Sequence, residues 1–223
     1  FLDIRRRVAM LRKKLEKEET RRQLHRNQRA KAGLPTVSLA GYTSVGKTTL
    51  FNKMTGETKV TGQGMFTTLS TFTRAIDLHG GKVLLNDTVG FISKMPAYMI
   101  DAFKSTLDEL VYASLVLLVL DISEPVDEIK RKFENSLDVI NEFEVPDTKI
   151  IYVLNKVDLT TVEDSFNKAD QLGISQSRRM VAVSAKTSYN INQLKNMIFK
   201  LLFETRKVKE EEETRRLTEE EKV

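Results

Sequence analysis

Eight consecutive residues have the types and the spacing of a phosphate-binding loop. Residues 41–48 read Gly-Tyr-Thr-Ser-Val-Gly-Lys-Thr and match the pattern GxxxxGK[ST] between a predicted strand and a predicted helix. Glycines at these places let backbone N–H groups surround phosphate oxygens, the lysine charge faces the β- and γ-phosphates, and the threonine hydroxyl completes a Mg²⁺ site. The predicted phosphate-binding residues are Thr43, Ser44, Val45, Gly46, Lys47, Thr48 and Thr49.

A second motif, Asp-Thr-Val-Gly at 87–90, directly follows a predicted strand. An aspartate at a strand end can hold Mg²⁺ beside a phosphate loop, so Asp87 is a predicted metal ligand. Gly90 lets a backbone N–H reach a γ-phosphate and respond to its loss. The motif therefore predicts a site that distinguishes a nucleoside triphosphate from a diphosphate.

A further Mg²⁺-binding threonine is expected on a mobile loop between residues 59 and 70. Thr68 is preferred over Thr67, and Thr61 is a third candidate, but spacing alone does not decide among the three. With this choice, the predicted catalytic residues are Lys47, Thr68 and Gly90, and the predicted metal ligands are Thr48, Thr68 and Asp87.

Two later motifs predict which base the nucleotide carries. In Asn155-Lys156-Val157-Asp158, the two carboxylate oxygens of Asp158 match the N1–H and N2–H₂ donors of guanine. Adenine lacks these donors, and a site built on such pairing discriminates by a factor of about 10⁴ or more. In Ser184-Ala185-Lys186, the Ala185 N–H is expected to contact guanine O6. The four motifs in this order predict a GTP site, with base-binding residues Asn155, Lys156, Asp158, Ser184, Ala185 and Lys186.

The position after Asp-Thr-Val-Gly holds no catalytic glutamine. Ras-like GTPases use a glutamine there to orient the attacking water. Phe91 occupies the position in this chain, and its side chain can neither donate nor accept a hydrogen bond. We therefore predict intrinsic GTP hydrolysis at or below about 10⁻⁴ s⁻¹, with Phe91 acting only as a core residue.

The composition excludes several other kinds of site. The 223 residues include no cysteine and only two widely separated histidines, which argues against disulfides, iron–sulfur clusters and a histidine-built metal centre. The longest apolar run, 115–120, is six residues long. A bilayer span needs about 20 such residues. We expect a cytoplasmic monomer with no membrane anchor and no signal sequence.

Charge divides the chain into three predicted regions. Residues 1–33 carry 12 basic and 4 acidic side chains, whereas residues 34–203 carry 18 and 19. We predict a basic helical segment at 1–33, a GTPase domain at 34–203 and a charged C-terminal tail at 204–223. Because the chain begins with Phe rather than Met, we also expect that a further segment precedes it.

Strands and helices alternate through the central region. The patterns predict an α/β fold of the P-loop NTPase type, with a doubly wound, mostly parallel sheet and an N-terminal helical extension. A hairpin around the turn at 79–81 would add one antiparallel edge strand. Strands are predicted at 36–40, 71–78, 82–86, 115–120, 149–154 and 180–183, and helices from 47 and at 98–112, 126–143, 161–172 and 190–203.

The amino-acid sequence around the motifs resembles that of the HflX family of ribosome-associated GTPases. The resemblance covers residues 35–203 and is carried by GYTSVGKTTLFN at 41–52, FTTL at 66–69, KVLLNDTVGFI at 82–92 and AFKSTLDEL at 102–110. It implies GTP-dependent binding to the large ribosomal subunit and its rRNA, and it makes Thr68 the switch threonine. The chain departs from the family at Ser44, where asparagine is usual, and at 70–71, where Asp-Pro is usual.

Two hypotheses about the target stay open at this point. In one, the GTPase domain itself binds the ribosome in the GTP state. In the other, the basic segment at 1–33 is the main RNA-binding module, because an excess of eight positive charges could neutralise several phosphates. Deleting residues 1–31 would distinguish them.

Overall fold

The computed structural model describes residues 33–57, 72–78, 80–88, 90–91 and 107–204, together with Met10, Thr20 and Leu24. The chain divides into two units, Phe1–Pro35 and Thr36–Val223, and the fold described here belongs to the second. Apart from Met10, Thr20 and Leu24, the predicted basic helix lies outside the described residues. The same holds for Thr68 with its alternatives Thr61 and Thr67, for both histidines, for the start of the helix predicted at 98–112, and for the charged tail beyond Glu204.

Within the described part of the chain, six strands form one sheet in the order β2-β3-β1-β4-β5-β6. The β2–β3 pair is antiparallel and every other pair is parallel, which confirms the predicted mixed sheet with one antiparallel edge strand. The strands are β1 (Thr36–Ala40), β2 (Phe72–Asp77), β3 (Lys82–Asp87), β4 (Leu115–Asp121), β5 (Ile150–Asn155) and β6 (Met180–Ala182).

Helices cover both faces of this sheet, as the apolar patterns predict. In chain order they are α1 (Lys47–Thr55), a helical stretch at 107–111, α2 (Val126–Glu142), α3 (Val162–Gln171) and α4 (Ile191–Phe199). The helices α1 and α4 enclose one core with Val37 and Leu39 of β1. The stretch at 107–111, α2 and α3 enclose a second core on the opposite face, with Val116 and Leu118 of β4. Residues of opposite parity thus face opposite cores, as expected for buried strands.

The C-terminal helical region differs from the single helix predicted at 190–203. After α4 the backbone continues as a π-helical turn, Lys200–Glu204. The Phe199 and Phe203 rings lie 5.2 Å apart, and they fill the space beside the β2–β3 turn. A Cβ on Gly81 would lie 2.6 Å from the Phe203 ring, so a larger residue there would require that ring to shift.

A buried polar cluster joins the helical stretch at 107–111 to the sheet. The Asn86 side chain donates to Glu109 Oε2 at 3.1 Å, and the Ser38 hydroxyl donates to the Glu109 backbone carbonyl at 2.9 Å. Thr73 of β2 donates to Asn86 Oδ1 at 2.7 Å. Because buried polar groups are costly unless paired, these bonds fix how the helical stretch lies across β1 and β3.

Parallel pairing brings the carboxyl ends of the central strands to one edge of the sheet. Leu39 lies opposite Asp87, and Asp121 lies opposite Asn155. The loops that follow these strands carry the motifs identified in the sequence, so the fold collects them at that edge. Among the residues that the structure describes, no helix is long and apolar enough to cross a membrane.

Candidate nucleotide-binding site

The loop between β1 and α1 turns back closely against the sheet. Gly41 has φ +135°, and a Cβ there would lie 2.4 Å from the Val119 carbonyl oxygen of β4. Gly46, with φ +98°, caps α1, and a Cβ on it would lie 2.4 Å from the Asn155 Nδ2. Both glycines are therefore required by backbone conformation and by contact. The loop wraps the N-terminus of α1, and the positive end of a helix dipole favours an anion.

Lys47 is held inside this loop. Its side chain is 6% exposed, and its ammonium donates to the carbonyl oxygens of Gly41 at 3.0 Å and Tyr42 at 2.8 Å. Burial lowers the pKa of Lys47 from its ordinary value of 10.5 to about 8, and the negative charge of Asp87 opposes the shift. The positive charge is thus fixed where a phosphate chain would lie.

Thr48 and Asp87 meet at the adjoining strand ends. The Thr48 hydroxyl donates to Asp87 Oδ2 at 3.0 Å, and Asp87 is completely buried as the last residue of β3. A hydroxyl and a carboxylate are the hard oxygen donors that Mg²⁺ takes, usually one or two from the protein with the rest from phosphates and water. The donor set therefore fits the predicted metal.

The Asp-Thr-Val-Gly segment is attached to the phosphate loop by backbone bonds. The Thr43 N–H donates to the Phe91 carbonyl at 2.8 Å, and the Phe91 N–H donates to the Gly41 carbonyl at 3.0 Å. A Cβ on Gly90 would lie 2.9 Å from Lys47 Nζ. The Phe91 side chain is fully buried in the second core and points to no solvent-accessible site.

Asn155 links two loops of the site. Its Nδ2 donates to the Val45 carbonyl at 2.8 Å, and its Oδ1 accepts from the Ala185 N–H at 3.0 Å. The Ala185 N–H that was predicted to face guanine O6 therefore has a protein partner. An incoming base would have to share or replace that bond.

Asp158 and Ser184 lie together, as their motifs predict. The Ser184 hydroxyl donates to Asp158 Oδ1 at 2.6 Å and accepts from the Thr187 N–H at 3.1 Å. Asp158 is exposed while Ser184 is fully buried, so a fixed hydroxyl orients a carboxylate that is open to a ligand. Lys186 is exposed, and Thr49 lies partly buried on the first turn of α1.

Lys156 crosses from the base motif to the phosphate loop. Its backbone has φ +69°, and its ammonium donates to the Ser44 carbonyl at 2.9 Å. The same ammonium bonds Asp121 Oδ2 at 2.5 Å. Asp121 was not singled out from the sequence, although a lone polar residue ending six apolar ones at a parallel strand's carboxyl end would have been a usable signal.

The described motif residues thus gather at one edge of the sheet, with the phosphate loop central and the base motif beside it. This strand order, with a phosphate loop after β1 and an Asn-Lys-x-Asp loop after β5, defines the protein as a P-loop GTPase domain.

Comparison with known proteins names the family. The family described as 50S ribosome-binding GTPase matches residues 36–156, and the chain belongs to it, within the HflX family of GTPases. The chain is 46% identical over 165 residues to the GTPase HflX of Thermococcus kodakarensis, covering 74% of this chain and 37% of that protein. It is 41% identical over 202 residues to the GTPase HflX of Methanocaldococcus jannaschii, covering 91% and 49%. The chain therefore spans at most about half the length of these relatives.

A solved structure shares the fold. The crystal structure of a GTP-binding protein from Sulfolobus solfataricus in complex with GDP superposes with a TM-score of 0.63 at 26% identity, covering 82% of this chain and 57% of that one.

Proposed function

We propose that this chain binds GTP, hydrolyses it to GDP and phosphate, and associates with the large ribosomal subunit in its GTP-bound state. One observation carries the nucleotide part. Gly90 passes beside Lys47 while Thr48 bonds Asp87, so two motifs about 40 residues apart form one cluster where a γ-phosphate and its metal would lie. In such a cluster, the position of the Gly90 backbone would depend on whether the γ-phosphate is present.

The phosphate chain would be bound chiefly by backbone groups. In this proposal the N–H groups of residues 44–49 bind phosphate oxygens and Lys47 supplies the charge. Thr43, which the sequence also assigned to the phosphates, already donates its N–H to the Phe91 carbonyl. Thr48 and Asp87, joined by Thr68, would hold Mg²⁺, which neutralises charge on the β- and γ-phosphate oxygens. Phe91 cannot orient water from inside the core, which supports slow intrinsic hydrolysis.

Guanine would be read by the Asp158 carboxylate. The Ser184 hydroxyl fixes one carboxylate oxygen, and the exposed carboxylate would accept from the N1–H and N2–H₂ donors of the base. Asp158→Asn tests this assignment by isothermal titration with GTP and xanthosine triphosphate. We expect GTP affinity to fall at least about 100-fold and xanthosine triphosphate to bind better than GTP, because an amide can donate to the xanthine 2-carbonyl.

Glu163→Gln is the matched control, since Glu163 is an exposed carboxylate on α3. It should leave both affinities unchanged. If Asp158→Asn keeps full GTP affinity, the base assignment is wrong.

The ribosomal partner is supported by the description of the matching family, and cytoplasmic location follows from that target. Co-sedimentation with purified large subunits tests it, comparing GDP with a non-hydrolysable GTP analogue. We expect the chain to pellet with the analogue and to stay in the supernatant with GDP. Equal amounts in the two pellets would contradict nucleotide switching.

The basic segment is the basis of a second candidate function. Its 12 basic and 4 acidic residues favour RNA binding, and the chain divides into units between Pro35 and Thr36. A chain lacking residues 1–31 should retain GTP-dependent pelleting if the GTPase domain makes the decisive contacts. It should lose pelleting if the basic segment is the main RNA-binding module.

A further inference from the structure

Lys156 joins the two ends of the proposed nucleotide site. Its backbone belongs to the base motif, two residues before Asp158, while its ammonium reaches the Ser44 carbonyl of the phosphate loop at 2.9 Å. A nucleotide with its base at Asp158 and its phosphates in the loop must lie along the same path. The four methylenes of Lys156 therefore offer an apolar wall to the base, provided that the ammonium stays anchored.

Asp121 provides that anchor. It ends β4, is 6% exposed, and its Oδ2 bonds the Lys156 ammonium. Its other oxygen, Oδ1, accepts from the N–H of Ser123 at 3.2 Å and from the Ser123 hydroxyl at 2.6 Å. The carboxylate is consequently fixed at both oxygens before any ligand arrives.

The strand register places this anchor directly beside the base motif. Asp121 lies opposite Asn155 in the parallel β4–β5 pair, and the Ile122 N–H donates to the Asn155 carbonyl at 3.0 Å. A long lysine side chain loses much rotamer freedom when it is held at its tip. Here that loss occurs during folding, so a ligand would meet a preorganised surface.

We propose that Asp121 is a positioning residue for guanine-nucleotide binding, acting through Lys156 and touching no part of the nucleotide itself. This inference rests on the proposed GTP site. It predicts that a substitution of Asp121 weakens the binding of ligands that carry a base and leaves the binding of ligands that consist of phosphates alone unchanged. If Asp121 only stabilised the β4–β5 pair, its substitution would weaken the binding of both kinds of ligand or of neither.

Asp121→Asn is the first test, because asparagine keeps the shape and an acceptor for Ser123 but cannot neutralise the ammonium. We expect dissociation of a fluorescent GDP to accelerate about tenfold, as weakening of one charge-assisted hydrogen bond would produce. Affinity for inorganic tripolyphosphate should stay within about twofold of the wild-type value. Both are measured on the full chain, by stopped-flow fluorescence and by titration calorimetry.

Asp164→Asn is the matched control. Asp164 also pairs with a lysine, Lys168, at 2.9 Å, and that pair lies within α3. This substitution should change neither GDP dissociation nor tripolyphosphate binding. Any shared effect of the two variants would indicate a general electrostatic cause and would contradict the proposal.

A double-variant cycle tests whether Asp121 acts through Lys156. Lys156→Met keeps an unbranched apolar side chain but leaves Asp121 buried without its cation, which should weaken GDP binding and lower thermal stability. Adding Asp121→Asn to that chain should recover part of the stability and cause no further acceleration of GDP release. Equal acceleration by Asp121→Asn with and without Lys156 would overturn the proposal.

The remaining outcomes separate this inference from the proposed function. Unchanged GDP dissociation in Asp121→Asn, with normal wild-type binding, overturns only the role of Asp121. Equal weakening of GDP and tripolyphosphate assigns Asp121 to the phosphate loop and also overturns it. A wild-type chain that binds no guanine nucleotide at micromolar concentration overturns the proposed function and this inference together.

Discussion

Gly90 passes so close to Lys47 that a Cβ on the glycine would lie 2.9 Å from the lysine Nζ. The same Cβ would lie 2.9 Å from Cγ2 of Thr43 in the phosphate loop. The close approach follows from the two backbone bonds that join Phe91 to Gly41 and Thr43. In the proposed mechanism this is where the γ-phosphate is sensed.

Gly90→Ala should therefore impair the GTP-bound state more than the GDP-bound state. The added methyl group must displace Lys47 or move the Asp87–Gly90 segment away from the γ-phosphate position. We expect at least about tenfold weaker binding of a non-hydrolysable GTP analogue, with GDP affinity changed less, as measured by fluorescence titration.

Gly173→Ala serves as the control for that prediction. Gly173 has φ +73°, and a Cβ there would meet no atom within 4 Å, so the substitution strains the backbone without touching the site. It should cost about 1 kcal/mol of stability and leave both affinities unchanged. Equal analogue binding by Gly90→Ala and the wild type would refute the role assigned to the close contact.

Nucleotide binding should weaken as the pH rises above about 8. In the nucleotide-free protein the pKa of Lys47 is about 8, whereas bound phosphates stabilise the ammonium and raise that pKa. GTP binding near pH 9 should therefore take up a proton, and binding at pH 6.5 should take up none at Lys47. Calorimetry in buffers of different ionisation enthalpy measures the number of protons taken up.

The lowered pKa of Lys47 has the opposite effect on folding: the stability of the nucleotide-free protein should increase as the pH rises above 8. Between pH 8 and 10.5 the unfolded chain holds the Lys47 proton and the folded chain does not, so this lysine destabilises the fold most below pH 8. Lys47→Met should be the more stable chain at pH 7, and its advantage should shrink by about 3 kcal/mol across that window. Urea unfolding at several pH values measures the difference. A constant advantage would contradict the lowered pKa.

Removal of Mg²⁺ should accelerate nucleotide release, because Thr48 and Asp87 would hold this ion beside the phosphates. We expect a chelator to accelerate GDP dissociation from the wild-type chain at least about tenfold. Thr48→Ala lacks the hydroxyl that bonds Asp87 Oδ2, so it should release GDP quickly even with Mg²⁺ present and respond little to the chelator. Thr55→Ala removes a hydroxyl at the other end of α1 and should keep the wild-type response. A full chelator response in Thr48→Ala would exclude the hydroxyl as a ligand.

Phe91 should matter for stability and little for catalysis. Its ring is fully buried in the second core, whereas its bonds to the phosphate loop use only backbone atoms. Phe91→Ala should cost about 3–5 kcal/mol of stability. The milder Phe91→Leu should stay folded and keep the single-turnover hydrolysis rate within a few-fold.

Phe51→Leu is the matched control, because Phe51 is equally buried in the other core and lies outside the Asp87–Phe91 segment. The two leucine variants should lose similar stability and keep similar rates. A hundredfold slower rate in Phe91→Leu alone would show that the ring takes part in catalysis.

The class of fold and the chemical type of the site could both be predicted from amino-acid patterns. Phosphate binding could be predicted because its groups lie within eight residues, and local spacing suffices to place glycines, a lysine and a threonine around one anion. The strands could be predicted because parallel strands buried on both faces are continuous apolar runs, as at residues 115–120. Their order in the sheet, with β1 between β3 and β4, does not follow from local pattern.

The pairing of groups that are distant along the chain depends on the folded arrangement of the strands. Asp121 and Lys156 are 35 residues apart, and the Asn155 side chain reaches a carbonyl 110 residues away at Val45. Buried hydrogen-bond donors and acceptors must be paired, but the amino-acid sequence offers many possible partners for each of them. Strand order and register select among them, because they bring the carboxyl ends of β4 and β5 together beside the phosphate loop. For this reason the sequence pattern could mark Asp121 as a polar residue at a strand end but could not name Lys156 as its partner.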